Sequence, residues 1–486
     1  MLADFSGDNA VYWLTANHFS PWGTAVPTAA HFAAKSVFPP LYPLVLALGG
    51  GGTSLLAAHV VSAVLLWCGL LAFVRLLGLI GIGWVAALGL MLAVAVSRSV
   101  LRESLQLHSE HLYLLLSLLA LVFALSAASR RQAIYLCAAC VAAAYLTRTS
   151  GLALALAMLA FIAVRHRSAL PGCLLIIGLP IVAWSLWHHG SASYVNDMMR
   201  LYAQVGLAGI IARNVEYLGL AWLACFNEVG LVGHGPILPT LFALAGVGGL
   251  LVRLRTAQPD ALYVPLYLLM LVLWPYPAEY QRMLYPIFPL ILAQGLFFSA
   301  SWIPQHAHRL QARHSSVLFL ALLAAAVLPY AAFALTRFIE TPPDAQYAPY
   351  TRTLAWYMAD PRQAIANVGY QRAVTEALLD IRTANRIEPE GCLLATKTAV
   401  VSLYSHRLTL GLPRPDRAGT VDLDRLRHNP CRAVFMTQAV SPSFPYAYFP
   451  YEQIRDLLTA VRVYPNPARP DAPAALLGHL PDNAQP

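Results

Sequence analysis

Ten apolar runs, each close to the roughly 20 residues a helix needs to cross a bilayer, leave this chain few folds to choose from. They lie near 53–76, 79–97, 110–128, 132–147, 151–164, 170–187, 236–252, 261–274, 283–301 and 317–338. Inside hydrocarbon every backbone N–H and C=O has to be bonded within the protein, and helices do this within themselves. The pattern predicts a polytopic α-helical membrane protein of about ten spans, of which the fourth, fifth and eighth are short. A further helix is expected in the membrane surface between Asn214 and Val229. Composition agrees, with 58% hydrophobic and 11% charged residues against about 25% charged in soluble proteins. An ordinary soluble enzyme, a disordered chain and a small disulfide-stapled domain are thereby excluded.

Charge sorts the connections. Lys and Arg number 32 and Asp and Glu 23, a formal charge of +9. The plain reading of that excess is topology, since basic loops stay in the cytoplasm; the sharper one is an anionic substrate. The basic residues form no patch, so nucleic acid is not an expected partner. Arg75, Arg130 with Arg131, Arg165 with Arg167, Arg253 with Arg255, and Arg309 with Arg313 alternate with the other connections and mark the cytoplasmic face. The opposite, outer face then holds 1–40, Arg98–Ser109, Arg148–Ser150, 188–235, 275–282 and everything after about Glu340. The chain opens on that face with a polar segment, as if a first helix preceded it and the start had been set too late. Residues 1–338 read as the membrane domain, with 1–40 as its first outer loop.

Residues 339–486 read as a small C-terminal α/β domain on the outer face. Strands are predicted over Gly391–Val401 and Arg432–Thr437, and helices over Gln363–Arg382 and Tyr451–Arg462. Cys392 and Cys431 lie in this part. An oxidising compartment would let them pair; two thiols are the alternative. Cys68, Cys137, Cys140 and Cys173 sit in apolar runs as small hydrophobes.

Ionisable groups at membrane depth are costly, so they usually carry a function or a partner. Four clusters stand out on the outer face. Asp4 and Asp8 precede an apolar segment, with Tyr12 one helical turn after Asp8; a helix cap is the bland reading. Pro39, Pro40 and Pro43 with Tyr42 make a stiff start to an apolar helix, and Lys35 nearby could meet a phosphate. Glu103, Gln106, Glu110, Tyr113 and Ser117 recur at three- and four-residue spacing, which predicts a polar stripe on one helix face. An internal salt bridge to Arg98 or Arg102 is its structural alternative. His108 and His111 read as unrelated surface histidines more readily than as metal ligands. Last, Arg148 and Arg282 stand where the chain re-enters the membrane. A guanidinium fork suits phosphate; snorkelling to the interface is the alternative.

The order of these features resembles one family. An acidic first outer loop with Tyr is followed by FPPLYPL, an SE-x-x-Y helix, an R-x-x-G turn and QRMLYPIFPL. This is similar to the GT-C glycosyltransferases that use lipid-linked sugars, such as protein O-mannosyltransferases and lipid A aminoarabinose transferases, over about residues 1–338. The resemblance implies that Asp8 is the catalytic base, with Asp4 in reserve. The adjacent acidic pair common in the family is here Gly7-Asp8-Asn9. Ser109 and Glu110 match the SE pair, and Arg148 and Arg282 match the positions that hold the lipid phosphate. Tyr12, Lys35, Tyr42, Glu103 and Tyr285 complete the candidate substrate-binding set.

The implied reaction moves a sugar from a polyprenyl-phosphate donor to a glycan, lipid or protein acceptor at the outer face of a bacterial inner membrane. A single displacement at the anomeric carbon would invert it. Asp8 would take the acceptor's proton, and the arginines would stabilise charge on the departing phosphate. Glu110 would position the acceptor, a cation or an arginine. No cofactor is required; a divalent cation is possible. Two other readings remain open. A polysaccharide polymerase or ligase would use diphosphate-linked glycans and favour an Arg-rich mid-chain loop, whereas 188–235 offers only Arg200 and Arg213. A lipid or sugar transporter would favour repeated halves, which the sequence lacks.

Overall fold

In the computed structural model of the chain the described residues are 7–104, 106–127, 132–187, 191–226, 236–302, 312–340, 373–374, 376–381, 391–395, 397–412, 424, 426, 428–437, 457–466 and 473–480. They divide into two compact units. One draws on Met1–Ser36, Pro43–Ala58 and Thr336–Pro486; the other consists of Val37–Tyr42 and His59–Leu335.

The larger unit is the apolar bundle. Each predicted run is a helix: Leu55–Leu79, Trp84–Ala95, Glu110–Ser126, Ala133–Thr147, Gly151–Arg165, Leu170–Trp187, Ile237–Leu254, Pro259–Val272, Phe288–Phe297 and Ala312–Glu340. Among the described residues, four helical stretches are long and apolar enough to cross a membrane: Leu55–Leu79, Arg167–Trp187, Ile237–Leu254 and Arg313–Thr336. The chain is thus a multi-pass, mostly helical membrane protein. Large apolar side chains such as Leu71, Leu175 and Leu244 are exposed, as a lipid-facing surface requires, while Phe73, Leu121, Met158, Phe226 and Phe288 fill the interior. Small residues let helices approach. A Cβ on Gly249 would lie 2.0 Å from the Gln294 carbonyl oxygen, so Ile237–Leu254 can cross Phe288–Phe297 at that distance only with glycine there.

The mid-chain helix is longer than its polar sequence suggests. It runs Ser191–Ala224 and is broken at Gly206, where φ is 75° and ψ is 157°, a conformation open mainly to glycine. The predicted segment from Asn214 is therefore only its second half, and 227–229 lie outside the described residues.

Hydrogen bonds tie some of the connections to one another. Arg165 donates to the Thr256 carbonyl at 2.7 Å, joining two Arg-bearing connections. Arg98 donates to the Ala224 carbonyl at 2.7 Å, and Gln281 to the same oxygen at 3.2 Å, at another set of turns. Arg130, Arg131 and Arg309 lie outside the described residues.

The smaller unit is built on a five-stranded sheet in the order β2-β1-β3-β5-β4. Its strands are β1 (Leu393–Ala395), β2 (Thr409–Gly411), β3 (Ala433–Thr437), β4 (Thr459–Tyr464) and β5 (Ala475–His479). β1 pairs parallel with β2 and β3, while β5 runs antiparallel to β3 and β4. Two expectations need correction. The strand predicted over Gly391–Val401 stops at Ala395, and Thr398–Ser405 is a helix. The predicted helix Tyr451–Arg462 overlaps a strand at Thr459–Tyr464, where Val461 and Val463 alternate with Ala460, Arg462 and Tyr464 at the period of two that strands prefer. Strands β2 and β5 were not anticipated. Within the predicted helix Gln363–Arg382, residues 376–381 are helical, while 363–372 lie outside the described residues. Cys392 and Cys431 are bonded because they flank the β1–β3 register, Leu393 facing Ala433.

The N-terminal segment shares this unit's core. Helix Gly7–Phe19 contributes Ala10 and Leu14, and helix Ala29–Lys35 contributes Phe32, to a cluster with Leu393, Val401, Phe435 and Leu477. Asn17 fixes the segment's return: its amide donates to the Gly52 carbonyl at 2.7 Å, and its oxygen accepts from the Val26 amide at 2.7 Å.

Candidate active site

The site begins with a broken helix. The stripe from Glu103 to Ser117 does not lie on one helix face: Arg98–Glu103 forms a short helix, the chain turns, and a new helix starts at Glu110. Ser97 caps the first piece, its hydroxyl accepting from the Val100 amide at 3.4 Å. The break folds Glu103 and His108 back beside Glu110 instead of stacking them along an axis.

Glu110 is fully buried at the head of helix Glu110–Ser126. Its Oε1 accepts from Arg148 Nη1 at 2.6 Å and from Arg282 Nε. The internal salt bridge expected with Arg98 or Arg102 is thus made by two arginines more distant in sequence. Arg148 ends helix Ala133–Thr147 in an extended conformation, φ −151° and ψ 137°, which turns its side chain back toward Ser109, whose hydroxyl it also reaches at 3.1 Å. The turn is tight. The Gly151 amide donates to the Arg148 carbonyl at 2.8 Å, and a Cβ on Gly151 would stand 2.6 Å from the Tyr145 backbone. Arg282 comes from the short helix Tyr280–Leu284.

A second layer holds these groups in register. Glu103 Oε2 lies 2.9 Å from His108 Nδ1; a carboxylate only accepts, so Nδ1 carries the proton. His111 Nε2 lies 3.1 Å from the Glu103 carbonyl oxygen and Nδ1 lies 2.8 Å from Tyr285 Oη. The carbonyl only accepts, so in the neutral ring Nε2–H donates to it and the tyrosine hydroxyl donates to Nδ1. His111 therefore pins the Glu110 helix to the segment that follows Arg282. Arg102 donates to Gln281 Oε1, next to Arg282. Tyr113 donates to the Ser150 carbonyl at 3.3 Å and shares a 2.9 Å hydrogen bond with Tyr263, which fastens the Arg148 turn. Both histidines are buried, at 6% and 0% exposure, so the surface reading given to them is corrected.

Three guanidiniums (Arg102, Arg148, Arg282) meet two carboxylates (Glu103, Glu110) in this cluster. Arg148 and Arg282 keep side-chain exposures of 14% and 13%. Among the described residues guanidinium exceeds carboxylate here, a balance suited to an anion. Burial alone would push the Glu103 carboxyl up, but the hydrogen bond from His108 Nδ1–H, with the nearby Arg102 guanidinium, holds it below the ordinary carboxylate range. Two buried acceptors are left without a partner among the described residues: Glu110 Oε2 and His108 Nε2. One side-chain atom each of Glu103, His108 and Glu110 lie within 4.8 Å of one another, a spacing that could hold a divalent cation.

An apolar cavity of about 260 Å³ opens in the same unit, lined by Leu218, Trp222, Val264, Leu268, Leu284 and Gln294 among others. Leu284 follows Arg282 by two residues, so the cavity wall and the cationic cluster share one short helix.

The bundle thus brings together Glu103, Ser109, Glu110, Arg148, Arg282 and Tyr285. Asp8, Tyr12 and Lys35 belong to the smaller unit. Asp8 lies half-buried in the first turn of helix Gly7–Phe19, Tyr12 is buried, and Lys35 is exposed at the end of its helix. Asp4 lies outside the described residues. Tyr42, in the bundle unit, is buried and hydrogen-bonded to Ser62 at 2.9 Å. Sequence reading did not single out Gln281 or Tyr263. Gln281 had a signal, as a second polar residue beside Arg282 in an otherwise apolar stretch; Tyr263 had none.

No protein-family model and no curated protein sequence matches the chain. Solved structures do resemble it. ArnT from Cupriavidus metallidurans bound to undecaprenyl phosphate is similar with 14% identity and a TM-score of 0.48, over 97% of each chain. The apo state of ArnT from the same organism is similar with 15% identity and a TM-score of 0.47, over 96% of this chain and 93% of that one. The Archaeoglobus fulgidus oligosaccharyltransferase tethered with an acceptor peptide is similar with 11% identity and a TM-score of 0.42, over 88% of this chain and 64% of that one.

Proposed function

We propose that the protein is a membrane glycosyltransferase that moves a sugar from a polyprenyl-phosphate donor to an acceptor hydroxyl. The observation that carries this reading is the convergence of Arg148 and Arg282 on the head of one buried helix. Each guanidinium has five N–H donors in a planar fork, more than one carboxylate can accept. Glu110 holds both forks in place while they face a phosphate, which is a positioning role. The apolar cavity beside Leu284 supplies a seat of matching polarity for part of the prenyl tail. Both requirements of an amphipathic donor, cations for the head and hydrocarbon for the tail, are met within a few residues.

In the proposed reaction the acceptor oxygen attacks the anomeric carbon as the bond to the phosphate oxygen breaks. The electron pair leaves with the lipid phosphate, whose growing charge Arg148 and Arg282 stabilise. Asp8 takes the acceptor's proton, and the anomeric centre inverts. Lys35, Tyr12, Tyr42, Ser109 and Tyr285 are assigned to binding. The bonded Cys392–Cys431 pair supports placing the C-terminal domain in an oxidising compartment, the outer side of a bacterial inner membrane.

The test is Asp8→Asn in membranes supplied with labelled polyprenyl-phosphate sugar. Loss of transfer with retained binding of the lipid is expected; undiminished transfer removes Asp8 from the mechanism.

A further inference from the structure

Two buried atoms of the cationic cluster can accept hydrogen bonds that the proposed phosphate chemistry does not use. Glu110 Oε2 and His108 Nε2 have no partner among the described residues, although Glu110 is fully buried and His108 is 6% exposed. Such groups are costly to leave unsatisfied. Their residues belong to one cluster, in which one ligand atom each of Glu103, His108 and Glu110 lie within 4.8 Å of one another. Glu103 fixes the ring of His108 by accepting from Nδ1 at 2.9 Å, so the neutral ring presents Nε2 as a lone pair. Glu110 Oε1 is already bonded to the two arginines, so its remaining oxygen stands close to where they would hold a phosphate.

We propose that His108 Nε2 and Glu110 Oε2 form a subsite that reads hydroxyl groups of the transferred sugar. The inference rests on the donor reading above and extends it to the chemistry of the group carried. Two acceptors in one buried cluster call for a ligand rich in hydrogen-bond donors, and the hydroxyls of a neutral pyranose or furanose supply them. A sugar attached to a phosphate held by Arg148 and Arg282 has its ring next to the phosphate, and Glu110, whose Oε1 binds both arginines, stands at the same place. A divalent cation is the competing occupant. It would sit against the carboxylate that Arg148 and Arg282 already share, and both guanidiniums would repel it. An uncharged hydroxyl meets no such repulsion, and each one that donates satisfies an orphaned acceptor.

The experiment measures binding, so it does not depend on finding the acceptor. The full-length protein in nanodiscs is titrated with sugar-free polyprenyl phosphate and with the same lipid phosphate carrying glucose, mannose or arabinose. At least one sugar-bearing lipid should bind tenfold or more tightly than the sugar-free one. In His108→Phe that advantage should fall to threefold or less while affinity for the sugar-free lipid stays within twofold. His108→Gln, which restores an acceptor of similar reach and guards against misfolding of the first variant, should recover part of the advantage. No sugar advantage in the wild type, or an advantage that survives in His108→Phe, overturns the proposal. So does a divalent metal that copurifies one per chain and is lost in His108→Phe. If sugar-free polyprenyl phosphate itself fails to bind, the donor reading fails first, and that result is distinct from loss of the sugar advantage alone.

Discussion

The bundle holds two buried clusters of charge, and they are built differently. In one, Arg253 grips Asp260 with both arms, Nε to Oδ2 at 2.8 Å and Nη2 to Oδ1 at 2.6 Å, while Gln294 donates to the same carboxylate and Phe297 lies under the guanidinium. One positive charge meets one negative charge, and both oxygens of the carboxylate are taken, although Gln294 Oε1 is unpartnered among the described residues. In the other, three guanidiniums face two carboxylates, two arginines share one oxygen of Glu110, and the second oxygen is unpartnered among the described residues. The first cluster is a charge-matched clamp between helices Ile237–Leu254, Pro259–Val272 and Phe288–Phe297. Among the described residues the second has more guanidinium than carboxylate and a carboxylate oxygen left over, which marks it as the candidate binding site and the first as a structural tie.

Substitution should separate them in turn. Glu110→Ala strands two guanidiniums beside each other. Transfer from a polyprenyl-phosphate donor should fall roughly 100- to 1,000-fold, and the folded state should lose about 3–5 kcal/mol. Asp260→Asn should cost a similar amount of stability for the same reason, yet leave transfer per folded molecule within about twofold. Thermal denaturation in detergent, paired with labelled-sugar transfer, reads both. If Asp260→Asn abolishes transfer without destabilising the fold, the distinction between clamp and site is wrong.

The two clusters also differ in how far sequence reveals them. The ten apolar runs became ten helices because length and hydropathy are local properties, and the membrane leaves helix as the default. Arg148 and Arg282 were marked by their positions at re-entry points. Their shared partner was not, because the Glu110 contact joins residues 172 apart for Arg282 and no periodicity encodes that. The stripe from Glu103 to Ser117 misled for a related reason. Spacing of three and four was read as one helix, but the chain turns after Glu103, and the turn is what brings His108 into the cluster. In the C-terminal domain, Thr459–Tyr464 was misread because its alternation is short and overlaps a window that also fits a helix.

The disulfide sharpens the contrast between the bundle and the sheet-bearing unit. Cys392 and Cys431, 39 residues apart, close a loop whose loss should cost about 3–4 kcal/mol. Cys392→Ser should lower the melting transition of the C-terminal part. The bundle's affinity for polyprenyl phosphate should change less than twofold. Coupled loss of both would show that the sheet helps form the phosphate site.

The smallest expected effect is one of pH. The Glu103 carboxyl is held below its ordinary value, which is about 4.3 in unfolded chains. Its contribution to stability is therefore fully present above that value and is lost as pH falls through the lower, folded one. Melting temperature should be flat through this group's range from pH 8 to 5. Glu103→Gln should melt a few degrees lower at pH 7, and the gap should close below about pH 4. A gap that widens on acidification would mean that His108 does not stabilise the charged carboxylate.

The central claim is that Arg148 and Arg282 hold the phosphate of a lipid-linked sugar through their forks and not by charge alone. Transfer of labelled sugar from a polyprenyl-phosphate donor by the double variant Arg148→Lys, Arg282→Lys, reconstituted in proteoliposomes, tests it directly. The charge is kept and the fork is removed. The account predicts that transfer drops at least 100-fold while the protein remains folded; transfer at the wild-type rate would contradict it.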